Sequence, residues 1–493
     1  MKKLINACLL IFISQLAFGQ NNDFGTGLLF DKTSYEQLPS VVYDYGNGSK
    51  SGGLPVEVSL KKWTPKIQNQ KAAASCVGWA MGYGCLSIMN AKLNNWTNPQ
   101  KITDEAFSSL FIYNQINTSS NCSKGIFMKD AAKFILKNGI CKSIDFDYPI
   151  EDCQRQPSLE LIKAAQKVNI KSYLKIFEID DAPEKKIEKI KINLSEGFPV
   201  VIGLNIQPNF KELKDEYWTP DPDYTNKEDN GHAVVIIGYD EYKGAFEIMN
   251  SWGKDWANEG FCWIRYDDIG KYTCSGYRFI IDKADLKDRI RPTDTKKIAS
   301  YKGHFQFKKL NRTDYPKPGF YSYPVQKISD YTYTSKENKW KINDTYRLCI
   351  EEAQVNRFVY VFSIDAKGSN IHWPKMEKST EGTERLASSM IAFDNVKITI
   401  PSSKGMLYKQ VKGDDNIIIL YAYNKIEDFE ARVNKVKNAK GTIESRFQIG
   451  FSDIIIANQT IDYAPNEMKF ETQIALSKKN VIPMILKLTD ATD

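Results

Sequence analysis

Three residues, each at the end of a predicted element, predict acyl-transfer chemistry by a thiol. Cys76 opens a stretch of small and apolar residues that reaches about Leu93, which is typical of a helix buried on all sides. His232 opens an apolar run that predicts a buried strand, and Asn250 ends the next predicted strand. A cysteine in the first turn of a helix favours the thiolate form, and an amide on the neighbouring strand can orient an imidazole. The pattern indicates a cysteine nucleophile with a histidine base.

Each of these residues also has an ordinary structural interpretation. Cys76 could be a small core residue, and His232 could be a core histidine whose hydrogen bonds are satisfied. Asn250 could simply end a strand and start a turn. The chain contains only 3 histidines, so the position of His232 in front of a buried strand favours the catalytic interpretation.

Further residues make the pattern specific. Gln70 lies six positions before Cys76, His232 lies between glycine and alanine, and Asn250 is followed by Ser, Trp252 and Gly. In this order the motifs resemble those of the papain-like cysteine peptidases, over roughly residues 55–283. The resemblance implies an α+β fold with a helical half, a β-barrel-like half and a cleft between them.

The resemblance also implies a role for each residue. Cys76 would be the nucleophile, and His232 would take its proton and later donate it to the leaving amine. Asn250 would orient the imidazole ring, and Trp252 would shield that hydrogen bond from water. The Gln70 side chain and the Cys76 backbone N–H would form the oxyanion hole.

Two glycines are assigned to substrate binding. The stretch 121–127 resembles the Cys-x-x-Gly loop of the family, in which Gly125 would offer its backbone to an extended substrate. Glycine permits this close approach because it has no Cβ. The alternative is an ordinary loop before a predicted helix over 128–137. Gly231, which precedes the catalytic histidine, is the second binding candidate.

The sequence departs from the family pattern near the nucleophile. Val77 follows Cys76 where tryptophan is usual, Ala73 replaces a cysteine that usually forms a disulfide, and Ala257 stands where glycine is more usual. Bacterial relatives often have Ser-Cys-Val-Gly followed by an aromatic residue, so the pattern favours a bacterial branch. These departures leave the substrate preference open.

The domain organisation follows from composition. Two lysines precede a short apolar run at the N-terminus, which predicts a cleaved signal peptide and therefore export to the periplasm or the cell exterior. No later stretch is long and apolar enough to span a bilayer. The predicted segments are a signal peptide (1–19), an extended lead-in that could act as a short pro-segment (20–54), a papain-like domain (55–283), a linker (284–299) and a β-rich domain (300–493).

The β-rich region is predicted to be an all-β, sandwich-like domain. Short runs of β-forming residues alternate with turn signals such as Lys412-Gly413-Asp414. A structural or docking module is one interpretation. Carbohydrate, protein or cell-surface binding is the other, suggested by Trp340 and Trp373 if these side chains are exposed.

Charge and cysteine content exclude several functions. The net charge is +7 over 493 residues and falls to +5 without the two lysines of the signal peptide, so no nucleic-acid partner is predicted. No His/Cys cluster has metal-ligand spacing, so no metal or cofactor is predicted. Among the cysteines, Cys141 could pair with Cys153 and Cys262 with Cys274, and Cys349 is expected to be buried and reduced.

The predicted function is that of a secreted cysteine endopeptidase acting on peptide or protein substrates. Three alternatives use the same residues differently. An exopeptidase would need an element that blocks one end of the cleft. An amide transferase would share the thioester intermediate. A catalytically silent papain-fold protein would leave ligand binding to its C-terminal domain.

Overall fold

The computed structural model describes residues 24–43, 53–224, 231–281, 298–313, 317–337, 339–374, 376–378, 384–393, 397–402, 405–475 and 477–490. The predicted signal peptide and nearly all of the predicted linker lie outside these ranges. Within them, no helix combines the length and the apolar character that crossing a bilayer requires.

Most of the described helices precede residue 212. The α-helices are Lys32–Glu36, Cys76–Gly78, Ser87–Leu93, Pro99–Asp104, Ser109–Ile116, Met128–Asn138, Leu159–Ala165, Pro183–Ser195, Pro208–Lys211, Tyr266–Tyr272, Phe429–Asn438 and Ile443–Phe451. A π-helical stretch, Trp79–Leu86, joins the second and third of these, and short 3-10 helices lie at Lys61–Trp63, Ser143–Asp145 and Asn458–Thr460.

A mixed sheet forms the other half of the first unit. Its central strand is Gly231–Asp240, which is buried along nearly its whole length. That strand runs antiparallel to both neighbours, so that His232 lies opposite Leu204 and Val235 lies opposite Met249. The strands, in spatial order, are Ser172–Lys175, Thr273–Ile280, Val200–Asn205, Gly231–Asp240, Ala245–Met249, Phe261–Arg265 and Tyr217–Trp218, with Glu57–Ser59 paired to the central strand.

The buried helical stretch is positioned by its small residues. It begins at Cys76, as predicted, and its glycines let other elements approach closely. A methyl group on Gly84 would lie 2.7 Å from Val235 of the central strand, and one on Gly78 would lie 2.5 Å from the carbonyl oxygen of Ser109. The helix can therefore lie directly against the strand that begins with Gly231 and His232.

Two further sheets form the C-terminal unit, in agreement with a β-rich prediction. One contains Ile298–Asn311, Gly319–Ser322, Thr345–Ala353, Ile398–Ile400, Leu407–Tyr408, Asp462–Tyr463 and Met468–Ala475. The other contains Val325–Ser329, Thr332–Ser335, Phe358–Ile364, Ser369–Trp373, Asp415–Ala422 and Val481–Leu488. The sheets meet through aromatic side chains, since the Tyr421 ring lies 5.1 Å from the Phe470 ring.

Two-stranded pairings complete the described strands, at Leu28–Leu29 with Ile126–Phe127 and at Met376–Lys378 with Glu384–Leu386.

The C-terminal unit contains the predicted sheets and, in addition, helices Phe429–Asn438 and Ile443–Phe451, which lie between its strands in the chain and bury Phe429 and Phe447. One expectation is corrected: the side chains of Trp340 and Trp373 are not on the surface, because they are only 1% and 4% exposed. The indole of Trp340 donates to the Ser335 hydroxyl, so these rings stabilise the core and do not form a carbohydrate-binding surface.

The disulfide bond also differs from both predicted pairings. Cys122 is bonded to Cys153 across 31 residues, whereas Cys141, Cys262 and Cys274 form no disulfide bond. Cys349 is buried and free, as expected. The bonded pair closes the loop that precedes Gly125, so it fixes one wall of the cleft.

We predict that replacing both Cys122 and Cys153 by serine destabilises the protein by roughly 2–4 kcal/mol, because the unfolded chain regains the entropy of an open loop. Urea unfolding of the oxidised wild type and the double variant measures this difference. Cys349→Ser leaves that loop closed and controls for loss of a buried cysteine. A non-reducing peptide map that joins Cys141 to Cys153 would contradict the assignment.

Candidate active site

Cys76 lies at the start of the buried helix, and its side chain is fully buried. The chain before it is held by a hydrogen bond from the Ala74 N–H to the Cys122 carbonyl, 2.8 Å. Burial raises the pKa of the Cys76 thiol from 9.0 to about 11, although backbone N–H groups of Ala233 and Gly27 act in the opposite direction. The Ala233 contact places the sulfur next to the backbone of the residue after His232.

His232 and Asn250 meet across adjacent strands. His232 Nε2 lies 2.8 Å from Asn250 Oδ1. Because an amide oxygen only accepts, Nε2 carries the proton in this arrangement. The same Oδ1 accepts the Ser251 N–H at 2.8 Å, which fixes the amide. His232 Nδ1 is buried and has no partner among the described residues, so it is free to take a proton.

Aromatic rings cover this pair. Trp252 is stacked on the His232 ring with centroids 4.3 Å apart, and it is 1% exposed. Phe210 meets both rings edge-on, at 6.2 Å from His232 and 5.5 Å from Trp252. Trp256 packs edge-on against Trp252 and donates its indole N–H to the Phe210 carbonyl. Water is thereby excluded from the His232–Asn250 hydrogen bond.

The same exclusion of water keeps the imidazole neutral. Burial lowers the pKa of His232 from 6.5 to about 4, although the Asn250 hydrogen bond raises it. The nearby thiol shifts towards its protonated form for the same reason. Both pKa shifts favour the neutral thiol and the neutral imidazole over a thiolate–imidazolium pair in this buried arrangement.

Gln70 is brought to the site by the loop that carries Asn250. The Gln70 N–H donates to the Ser251 carbonyl at 2.7 Å, and the Ser251 hydroxyl donates to Gln70 Oε1 at 2.6 Å. These contacts leave Nε2 to donate to the carbonyls of Ala73, at 2.8 Å, and Gly25, at 3.0 Å. The predicted oxyanion donor thus already binds a peptide carbonyl.

The Gly25 carbonyl belongs to residues 24–29, which we call the cleft segment. Phe24 is stacked on Trp252 with centroids 4.9 Å apart and an interplanar angle of 9°. Gly25 accepts from Gln70 Nε2 and, at 3.3 Å, from Trp252 Nε1. The segment therefore extends across the site from the indole of Trp252, past the oxyanion donor, to the thiol that Gly27 contacts.

The two predicted binding glycines lie along the same segment. The Ile126 N–H donates to the Gly27 carbonyl at 3.0 Å, and Leu28–Leu29 pairs in parallel with Ile126–Phe127. A side chain on Gly125 would overlap the Gly27 carbonyl, and one on Gly231 would lie 2.6 Å from the Leu28 carbonyl oxygen. Both glycines therefore let a peptide backbone lie against the cleft walls.

The structure brings together every residue that the sequence singled out, namely Gln70, Cys76, Gly125, Gly231, His232, Asn250 and Trp252.

Sequence reasoning missed three contributors. Ser251 orients the Gln70 side chain, and Phe210 covers the imidazole. The cleft segment was not placed in the cleft, although its glycines, Gly25 and Gly27, are a signal of close backbone approach. Among the described residues, no three His, Cys, Asp or Glu side chains are arranged to hold a metal ion.

Comparisons with known proteins address the first unit of the chain. Residues 56–278 match the family model described as papain family cysteine protease. An uncharacterized peptidase C1-like protein of Acanthamoeba polyphaga mimivirus is 29% identical over 182 residues, which cover 36% of this chain and 58% of that protein. Falcipain-2a of Plasmodium falciparum is 22% identical over 258 residues, 49% of this chain and 47% of its own length.

Solved structures of cysteine proteases are also similar to part of this chain. Xylellain, a cysteine protease from Xylella fastidiosa, is 24% identical with a TM-score of 0.40, over 51% of this chain and 97% of that one. The chain spans 58% and 47% of the two curated relatives above, and these relatives include viral and eukaryotic proteins. By the family model, residues 56–278 are a papain family cysteine protease domain.

Proposed function

We propose that this protein is an exported bacterial cysteine endopeptidase that hydrolyses peptide bonds through an acyl-enzyme on Cys76. One observation carries the proposal: the Gly25 peptide carbonyl accepts a hydrogen bond from Gln70 Nε2 in the same cleft as the thiol. A site that binds a peptide carbonyl beside a nucleophile is suited to acyl transfer. Export to the periplasm or the cell exterior is inferred from residues 1–19.

The reaction begins with transfer of the thiol proton to His232 Nδ1, which has no other described partner. The sulfur of Cys76 attacks the substrate carbonyl, and the resulting oxyanion is held by Gln70 Nε2 and the Cys76 N–H. The imidazolium then gives its proton to the leaving amine as the C–N bond breaks. Water, deprotonated by His232, attacks the thioester and releases the acid and the free thiol.

Asn250 and Trp252 act through the imidazole. Asn250 Oδ1 holds the Nε2–H tautomer, so Nδ1 is the atom that exchanges protons. Trp252 covers the ring and strengthens that hydrogen bond by excluding water. Gly125 and Gly231 would admit the substrate backbone, as they admit the cleft segment.

The proposal includes a latent form in which the cleft segment acts as a short pro-segment. Its backbone contacts Gln70, Ile126 and Cys76, where a substrate would have to bind. It offers the N–H of Gly27 to the sulfur. Its presence also buries the thiol and the imidazole, and the resulting pKa shifts oppose formation of the ion pair.

Gly27→Val is expected to expel the cleft segment, because its side chain would overlap the Ala74 carbonyl. We predict that labelling of Cys76 by a peptidyl epoxide becomes about 5 to 30 times faster than in wild type, since an overlap costing about 1–2 kcal/mol shifts such an equilibrium by that factor. Intact mass against time measures the rate. Gly319→Val, whose added Cβ would meet only ordinary contacts at 3.5 Å or more, is the matched control. Equal rates in all three proteins would contradict latency.

Latency should weaken in acid. Because burial lowers the pKa of His232 from 6.5 to about 4, protonation favours the open form over the closed form. The closed form is most favoured between about pH 6.5 and 9, because burial raises the pKa of Cys76 from 9.0 to about 11 and ionisation of the thiol at higher pH favours the open form. The advantage of the closed form falls about tenfold per pH unit between 6.5 and 4. The labelling rate of wild type is divided by that of Gly27→Val at the same pH. The intrinsic reactivity of the thiol cancels in this ratio, which therefore reports the equilibrium between the closed and open forms.

We expect that ratio to rise as the pH falls, with far-UV circular dichroism used to verify that both proteins remain folded. A ratio that stays constant from pH 7 to pH 4.5 would rule out control by His232.

Cys76→Ala in the Gly27→Val background is expected to abolish cleavage of a peptide blocked at both ends, because no acyl-enzyme can form. His232→Ala should lower kcat/KM by at least about a hundredfold. Cys349→Ala removes a buried thiol from the other unit and should leave the rate unchanged. Cleavage of the blocked peptide identifies an endopeptidase, whereas incorporation of an added amine in place of hydrolysis would identify a transferase and overturn the proposal.

A further inference from the structure

The cleft segment continues into a second stretch that is held by both units of the chain. We call residues 35–43 the anchor. On the peptidase side, the Tyr35 hydroxyl donates to the Phe177 carbonyl and accepts the Gly276 N–H, both at 3.0 Å. The Lys175 N–H donates to the Pro39 carbonyl at 3.0 Å. The anchor thus lies along the outer edge of the strand Ser172–Lys175.

The C-terminal unit holds the opposite side of the anchor. Ser40 forms a parallel bridge with Lys175 on one side and with Ala387 on the other. The Ser388 N–H donates to the Ser40 carbonyl at 3.1 Å. The Tyr43 ring lies 5.9 Å from the Phe393 ring. The anchor therefore pairs with the sheet edge of the peptidase unit on one side and contacts residues 387–393 on the other.

Residues 387–393 are themselves fixed to the peptidase unit. Arg278 is fully buried, and its guanidinium lies between the rings of Phe198, at 3.7 Å, and Phe393, at 4.3 Å. It also donates to the Ala392 carbonyl. A second connection runs from Asn356 Nδ2 to the Ile281 carbonyl, 3.3 Å. The stretch that touches the anchor is thus the one that binds the two units together.

We propose that the C-terminal unit locks the latent peptidase by holding the anchor; this inference rests on the proposed function. Binding of the cleft segment is intramolecular, so its strength depends on how closely its attachment is held to the cleft. If the C-terminal unit releases the anchor, only the peptidase-unit contacts of Tyr35, Pro39 and Val41 still hold it. These contacts then open more often, and each time they open the tether is longer and the segment must be ordered again as it enters the cleft. Displacement of this unit would therefore open the active site.

The test uses the full chain and the rate at which an epoxide labels Cys76 at pH 7. Phe393→Ala removes the ring that touches Tyr43 and Arg278, and we expect labelling about fivefold faster than in wild type, the effect of losing one interaction of ordinary strength. Phe320→Ala removes the same side chain from the strand Gly319–Ser322, and it should leave the rate unchanged. A wild-type rate in Phe393→Ala would overturn the proposal.

Tyr43→Ala changes the anchor side of the same contact and should accelerate labelling to a similar extent. In the Gly27→Val background neither variant should have any further effect, because no cleft segment remains to be held. If Phe393→Ala still accelerates labelling there, the C-terminal unit acts on the site by another route and the lock is wrong. Failure of the proposed function has a different signature, since Cys76 would stay unlabelled in Gly27→Val at every pH.

Discussion

The hydrogen bond between His232 Nε2 and Asn250 Oδ1 is the interaction on which the rest of the site depends. At 2.8 Å it assigns the proton to Nε2 and leaves Nδ1 as the only ring nitrogen that can accept one. Its geometry requires the strand Gly231–Asp240 to run beside Ala245–Met249 in one register, because a shift of one residue would turn the histidine to the other face. The glycines of the helix that begins at Cys76 then set how near the thiol comes to that strand.

In the proposed mechanism, exclusion of water would have opposite effects in the latent and active forms. Trp252 and Phe210 protect the His232–Asn250 hydrogen bond, and a dry environment strengthens it. The cleft segment completes the exclusion, and the charged forms of Cys76 and His232 then lose the most hydration. Burial therefore stabilises the arrangement of the catalytic groups while it disfavours the ion pair that catalysis needs. Removing the cleft segment would admit water and substrate, while Phe210 and Trp256 would still pack against Trp252.

The sequence predicted what depends on local pattern. The start of the buried helix at Cys76, the helix from Met128 and the elements that carry His232 and Asn250 all follow from periodicity and turn residues. Pairing between distant segments could not be predicted in this way. The Cys122–Cys153 bond depends on how two loops fold together, and alternative pairings fit the sequence equally well. Burial of Trp340 depends on a hydroxyl partner, Ser335, that composition alone does not reveal.

The cleft segment and the anchor contact different parts of the molecule, and this difference gives them separate roles. The anchor protects the edge of the strand Ser172–Lys175, where unpaired backbone groups would otherwise be available to other chains. It also supplies the Glu36 carbonyl to the ammonium of Lys175, which is fully buried and paired with Glu178. Its removal would leave that charge short of a partner, which is costly in a dry interior. Residues 30–33, between the two stretches, are exposed, and exposed connections are where proteolysis occurs most readily. A cut there would free the cleft segment and leave the anchor in place. The active site would then open while the anchor still covers the edge of the strand Ser172–Lys175.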